Sequence, residues 1–347
     1  MTERQAGPME IERTIKGVPK VELHIHTLGS IRPGTLLAVI DDAGIDARYE
    51  SVEDIKRLFQ YQDFTHFISV YSQVVDYITK ESHFERIIFE MLEDCASCNV
   101  HYVEASFSAF DHIERGMEFS AMIDALNKGI RKAKKQFGVE SNIRIDLVRN
   151  AGPEVGMSVL DLIEEKPDNI VSIDIGGSED KVPPKPFAQV YERAKKMGLH
   201  LVAHAGEAAG PQSIWDAVNH LNVERIGHGV TAREDPELMH HLKTTQVAIE
   251  MCPVSNVRTG VVSDMASHPI REFFDFGLLV TVNSDDPSFF HTDLNNEFIQ
   301  LNRHLDFSLD ELFQISLNSV EVSFLPEKRK AHLRESFKHK YERLTPL

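Results

Sequence analysis

Cysteine is scarce in this chain of 347 residues: Cys95, Cys98 and Cys252 are the only three. So small and odd a number excludes a disulfide framework and matches the usage of a reducing compartment. Cys95-x-x-Cys98 has no second pair to complete a four-cysteine zinc site, so both thiols read as structural, on an amphipathic stretch over 87–100 that runs from a helix into a strand. Basic residues are in the minority, 37 against 54 acidic, for a net charge of −17. That average field repels polyanions and excludes nucleic acid as a partner. The densest basic run, 131–136, reads as the solvated face of a helix. No apolar run approaches the ~20 residues of a membrane helix. Residues 1–14 are polar and lack the apolar core of a secretory leader. A cytoplasmic protein with no membrane partner is expected, with its first dozen residues frayed. Repeats, low-complexity tracts and linkers rich in Pro, Gly or Ser are also missing.

What is present is an ordinary globular composition, 42% hydrophobic and 26% charged. Chains near this length hide roughly three quarters of their unfolded surface. Short runs rich in Val, Ile and Leu alternate with longer helical patterns. Strands are predicted over 20–26, 99–108, 143–150, 170–177, 199–207, 224–229, 247–253 and 278–287, as for strands buried on both faces. Helices are predicted over 119–137, 186–197 and 235–242. Eight strands separated by helices predict an α/β fold, a (β/α)8 TIM barrel. The alternative, an open doubly wound sheet, lacks its Gly-x-Gly-x-x-Gly turn after an early strand.

Two stretches exceed a minimal barrel. About seventy residues separate the first two strands, with at least three helical patterns, one over 64–78. The tail adds helices over 294–301 and 309–320. The simplest organisation is one domain over 1–347, with a helical insertion over 27–98 above the active site and extra C-terminal helices.

Candidate chemistry gathers at the strand ends. His24-Ile25-His26 closes the first strand, and alternate residues of an extended chain point to one side, so both imidazoles can face one ion. His204-Ala205-Gly206-Glu207 closes the fifth, Gly227-His228-Gly229 the sixth, and Ser284-Asp285-Asp286-Pro287 the eighth. Imidazole with carboxylate suits zinc and similar borderline ions. Singly, each has a plainer explanation: a hydrogen-bonded core histidine, an aspartate capping a turn, a glutamate at a helix start. Together they put four His/Asp clusters at the C-terminal ends of four strands, the face that carries the active site in such barrels.

The segments Lys20-Val21-Glu22-Leu23-His24-Ile25-His26, His204-Ala205-Gly206-Glu207, Arg225-Ile226-Gly227-His228-Gly229, Cys252-Pro253-Val254-Ser255-Asn256 and Asn283-Ser284-Asp285-Asp286-Pro287 resemble, in order and spacing, the motif series of the adenosine and adenine deaminase family. The resemblance covers about 19–341. It implies one zinc ion per chain, held by His24, His26, His204 and Asp285. It implies that His228 and Asp285 orient the attacking water and take its proton, and that Glu207 protonates purine N1 so that C6 becomes electrophilic. Asp286 would bind N7 and the backbone of Gly177 would meet N3; a residue without Cβ lets the main chain approach a flat base. His26 would also border the substrate. An aromatic amine is a poor leaving group, so such a site must supply both a nucleophile and a ring proton. The His-x-Glu and Pro-Cys-x-x-Cys signature of cytidine-type zinc deaminases is absent.

One position departs from the family. Adenosine deaminases carry, two residues after His-x-His, an aspartate that binds the ribose 5′-hydroxyl; adenine deaminases carry a glutamate. Here Leu28 stands there, and a 5′-hydroxyl buried against it would lose a partner, at about 1–3 kcal/mol. The expected substrate is therefore an adenine nucleoside, adenosine or one with an apolar or extended 5′ end such as methylthioadenosine or 6-amino-6-deoxyfutalosine. Phe59, Tyr61, Phe64, Phe67 and Tyr71 are candidates to line such a pocket, or equally to form the core of the insertion. The alternatives are free adenine, N6-methyl-AMP (with phosphate donors near Gly29 and Ser30), a non-purine substrate of a mononuclear amidohydrolase, and a non-catalytic purine binder. Many two-metal amidohydrolases place a carboxylated lysine on the fourth strand; this one ends Asp174-Ile175-Gly176-Gly177.

Overall fold

Eight parallel strands pair strictly with their sequence neighbours: β1 Lys20–His26, β2 Val100–Phe107, β3 Glu140–Val148, β4 Ile170–Gly176, β5 His200–Ala205, β6 Arg225–His228, β7 Ala248–Met251 and β8 Val280–Val282. The computed structural model describes residues 7–45, 48–61 and 64–345. A parallel bridge between Ile25 and Asp285 joins the last strand's end to the first. In it His26 N–H donates to Asp285 O at 2.8 Å and Asp285 N–H to His24 O at 3.0 Å. The fold is a (β/α)8 barrel, and the backbone bonds of the closing bridge are made by the candidate site residues His24, His26 and Asp285.

The strands lie where the apolar runs predict, with two informative differences. β3 begins at Glu140, earlier than the predicted 143. β8 is only Val280–Val282, because Asp285 takes a left-handed φ of +62° and turns the chain into a short helix, Pro287–Phe290. The first dozen residues are not frayed throughout: α1 covers Pro8–Gly17, with proline in its first turn and Ile15 fully buried. Residues 1–6 lie outside the described part.

Between β1 and β2 run four helices, α2 Pro33–Ala43, α3 Val52–Leu58, α4 Phe64–Tyr77 and α5 Glu81–Ser97. The basic run 131–136 falls on the helix Phe119–Phe137, where Lys132 pairs with Glu85 of α5. Cys95, Cys98 and Cys252 are buried free thiols. The C-terminal helices Leu309–Val322 and Glu327–Leu344 close the N-terminal end of the barrel, with Val320, Leu333 and Phe337 packed on Val21, Leu23 and Tyr102. That leaves the C-terminal ends of the strands open to α4. Among the described residues no helix is long and apolar enough to cross a membrane.

Candidate active site

The barrel interior beneath the strand ends is ionic where an apolar filling is usual. Glu250 on β7 accepts from Arg144 of β3 at 2.8 Å and lies 2.7 Å from Nε of Arg225 of β6; Arg225 also pairs with Glu104 of β2. All four side chains are at most 1% exposed. Burial raises the Glu250 carboxyl, but the two guanidiniums outweigh it and hold the group well below the usual carboxylate range. Removing any one partner would strand a buried charge, at about 3–5 kcal/mol.

This network aims the histidines. Glu250 Oε2 lies 2.8 Å from His24 Nδ1, which directs His24 Nε2 upward, where it is buried without a hydrogen-bond partner. Asp174 Oδ2 stands 3.0 Å from His204 Nδ1, while its Oδ1 accepts the backbone N–H of His204 at 2.9 Å. Carboxylates behind imidazoles fix tautomer and ring orientation for a metal. One ligand atom each from His24, His26, His204 and Asp285 lie within 4.8 Å of one another. Three imidazoles, one anionic carboxylate and an unpartnered buried Nε2 fit a single borderline divalent ion. His24, His228 and Cys252 also come within 4.8 Å. That set fits less well, because burial pushes the Cys252 thiol well up and keeps it protonated.

Asp285 has two faces. Its Oδ1 lies 3.5 Å from His24 Nε2 and 3.2 Å from His26 Nε2, and its Oδ2 accepts from Ser255 Oγ at 2.6 Å. Burial opposes its charge, but the two histidines hold it well below the usual range. Asp285 and His228 both have a left-handed backbone, φ +62° and +63°. That conformation is strained for side-chain-bearing residues and clusters at functional sites.

His228 ends a chain of hydrogen bonds whose direction is fixed by a main-chain donor. Ile270 N–H donates to His268 Nδ1 at 3.3 Å, so His268 carries its proton on Nε2 and donates to Asn256 Oδ1 at 3.1 Å. That orients the Asn256 amide, whose Nδ2 donates to His228 Nδ1 at 3.1 Å. The neutral His228 ring therefore bears its proton on Nε2, the atom 3.7 Å from Glu207 Oε2 and 3.9 Å from Asp285 Oδ2. Burial first, then His24 and His204, hold His228 well below its ordinary pKa, so it stays neutral.

Glu207 sits on the turn after β5. Glu179 gathers that turn: its carboxylate accepts the backbone N–H groups of Gly206, Glu207, Ala208 and Ala209, and the hydroxyl of Ser213. Burial, then Asp285 and Glu179, push the Glu207 carboxyl up to about 8. Asp286 is likewise raised to about 7 by burial and by Asp285, and its Oδ1 is buried without a partner. A Cβ on Gly29 would fall 1.7 Å from that oxygen, so Gly29 is the surface against which Asp286 lies.

A cavity of about 280 Å³ brings together His26, Gly177, His204, Glu207, His228, Asp285 and Asp286. Gly177 has φ +101°, and a Cβ there would meet Asn150 Oδ1 at 2.5 Å. Phe67 and Tyr71 of α4 line the wall. Phe59 instead stacks on Phe289 at 4.4 Å, and Tyr61 packs edge-on against Phe67 and Phe290. The Phe64 side chain lies outside the described part. Leu28 is 5% exposed and lines an adjoining recess with Tyr71, Ser108 and Asp111 rather than the cavity wall itself. Ser30 faces a different cavity and donates its hydroxyl to His26 O.

Glu250, Arg144, Glu179 and His268 escape a reading of motifs, and Asp174 and Asn256 fall in quoted segments without a role. The available signal was polar residues recurring at alternate positions of otherwise apolar strands, as in Glu22-x-His24-x-His26 and Arg144-x-Asp146. Glu179 and His268 lie on loops and carry no such signal.

The adenosine deaminase family model matches residues 19–340. An aminodeoxyfutalosine deaminase of Streptomyces avermitilis is 37% identical over 330 residues, covering 93% of this chain and 91% of the relative. The crystal structure of an adenine deaminase from Arthrobacter aurescens superposes with a TM-score of 0.90 at 31% identity, covering 93% of this chain and 98% of that one. An amidohydrolase from Burkholderia ambifaria, solved with bound zinc, superposes equally well, 0.90 at 25% identity, over 99% and 95% of the two chains. The chain belongs to the adenosine deaminase family and is a hydrolase of the class that removes amino groups from cyclic amidines.

Proposed function

We propose that the protein is a zinc deaminase that exchanges the 6-amino group of an adenine nucleoside for oxygen and releases ammonia. The observation that carries this reading is a pair of carboxyls, half-buried Glu207 and buried Asp286, that line one cavity beside the four-ligand group and are both pushed up by desolvation. Purine N1 and N7 flank C6, and both are acceptors. When protonated, the two carboxyls are the donors such an edge requires.

His24, His26, His204 and Asp285 would hold one zinc ion, which when bound makes water nucleophilic at neutral pH. Asp285 takes a proton from the attacking water, and His228, protonated on Nε2, donates a hydrogen bond to the attacking oxygen. Glu207 protonates N1 as the oxygen joins C6, and Asp286 donates to N7. The C6–N bond then breaks: Asp285 returns its proton to the departing amine, and Glu207 recovers one from the new C6 hydroxyl. The 6-oxo purine and ammonia result, and every residue ends as it began. The backbone of Gly177 approaches N3, where Asn150 leaves no room for a side chain.

Two observations favour a nucleoside whose 5′ end is unphosphorylated over N6-methyl-AMP. Gly29 packs on Asp286, and Ser30 is turned to another cavity. Among the described residues lining the main cavity there is no lysine or arginine. Leu28 offers no hydrogen-bond acceptor beside the cavity, which favours an apolar 5′ group such as that of methylthioadenosine, or an extended one such as that of 6-amino-6-deoxyfutalosine, over a free 5′-hydroxyl. The experiment is turnover in ¹⁸O-water by zinc-loaded protein. Label at C6 of the product with stoichiometric ammonia supports hydrolytic deamination; a product without label contradicts it.

A further inference from the structure

Beyond the residues that act on the base, one buried acid in the cavity has no assigned work. Asp146, at the end of β3, is 6% exposed and lines the cavity. Ser108 Oγ donates to its Oδ2 at 2.8 Å, while Oδ1 is buried with no hydrogen-bond partner. A buried carboxylate oxygen left unpaired is costly unless a donor arrives, and the residue that carries it lines the cavity. Asp111 stands nearby on the same wall, its carboxyl pushed up to about 6 by burial and by Asp146.

The position of Asp146 relative to the base follows from the proposed function, on which this inference rests. With C6 at the metal ligands, N7 at Asp286 and N3 at Gly177, atom N9 lies on the far edge of the purine, between N3 and N7. Whatever N9 carries leaves the base beside Gly177. The Asp146 carboxylate lies against the preceding residue: its oxygens are 2.8 and 2.9 Å from where a Cβ on Gly176 would sit. We infer that Asp146, with Ser108, is the subsite for the sugar hydroxyls of the nucleoside, Oδ1 accepting one O–H of the ribose 2′,3′-diol and Ser108 Oγ the other. Asp146 is thus a specificity-determining residue that makes a ribonucleoside, rather than free adenine, the substrate. A carboxylate backed by a hydroxyl suits a vicinal diol, which brings two donors; it repels a phosphate.

The test is kcat/KM of the zinc-loaded enzyme and its Asp146→Asn and Ser108→Ala variants on adenosine, 2′-deoxyadenosine, 3′-deoxyadenosine and 2′,3′-dideoxyadenosine. The wild type is expected to favour adenosine over the dideoxy compound by about tenfold or more, the discrimination typical of a site built to bind a hydroxyl. Asp146→Asn should remove that preference, lowering the adenosine rate by about tenfold while leaving the dideoxy rate within about threefold. Ser108→Ala should narrow it less. Metal content and circular dichroism confirm that each variant is folded. A variant that slows all four nucleosides equally, or a wild type indifferent to the diol, overturns the sugar subsite and leaves the deaminase reading intact. Failure of the wild type to turn over any 6-aminopurine, the dideoxy compound included, sinks the deaminase reading and this inference with it.

Discussion

Asn256 Nδ2 meets His228 Nδ1 at 3.1 Å, and this contact decides what His228 can do. Because His268 fixes the asparagine amide, His228 presents an N–H rather than a lone pair towards Glu207 and Asp285. The family resemblance gives His228 and Asp285 a shared part in taking the water's proton; the hydrogen-bond chain divides the work, leaving the proton to Asp285. Asn256→Ala should free the tautomer and lower kcat by about 10–100-fold, the range for residues that orient a site's ligands. His268→Ala, one link farther back, should lower it less. Steady-state kinetics on both variants check this; an unchanged kcat for Asn256→Ala would contradict the relay.

In the proposed mechanism Glu207 must carry its proton to act. Its carboxyl is pushed up to about 8, so the protonated fraction falls as pH rises through that value. Activity should accordingly have an alkaline limb near pH 8. Glu207→Gln, which keeps the shape but cannot transfer the proton, should lower kcat by about 10²–10⁴-fold and its residual rate should show no such limb. A pH profile of kcat/KM for both proteins is the measurement; an identical limb in the variant would assign the titration to another group.

Behind the proposed ligands, Asp174 and Glu250 hold His204 and His24 through their Nδ1 atoms. Asp174→Asn should weaken metal affinity by about 10–100-fold while His204→Ala should abolish stoichiometric binding. Metal analysis after dialysis against a graded chelator reads the order directly. Equal retention in both variants would remove His204 from the ligand set.

Much of this was legible in the chain. The runs that become β1, β2 and β4 to β7 are apolar enough to announce buried parallel strands, and the His and Glu residues that close several of them are ones the structure brings together. The shortness of β8 was not legible, since the left-handed Asp285 depends on the bridge to Ile25, a contact made 260 positions away in sequence by Asn283 as well, which accepts from Leu23 N–H. The helix Pro8–Gly17 was missed because its polar sequence reads as a solvated tail; docking of residues such as Ile15 against the core is what orders it. Glu179 and His268 were invisible because a loop residue's partners follow from tertiary folding, not from a period.

Leu28 lies in a recess with Tyr71, Ser108 and Asp111. Leu28→Asp should raise the preference for adenosine over methylthioadenosine, by supplying an acceptor for a 5′-hydroxyl, with some loss of thermal stability because a second carboxylate joins Asp111. The ratio of kcat/KM values and the melting temperature test the two parts. An unchanged ratio would place 5′ discrimination elsewhere in the cavity.

The most direct test of the central claim is ammonia release from a matched panel by zinc-loaded protein: adenosine, adenine, methylthioadenosine, 6-amino-6-deoxyfutalosine and N6-methyl-AMP, with Glu207→Gln as control. The account predicts that a nucleoside with an unphosphorylated 5′ end is the best substrate and that its turnover collapses in the control. No turnover of any of the five by fully metallated protein, or turnover indifferent to Glu207, would contradict it.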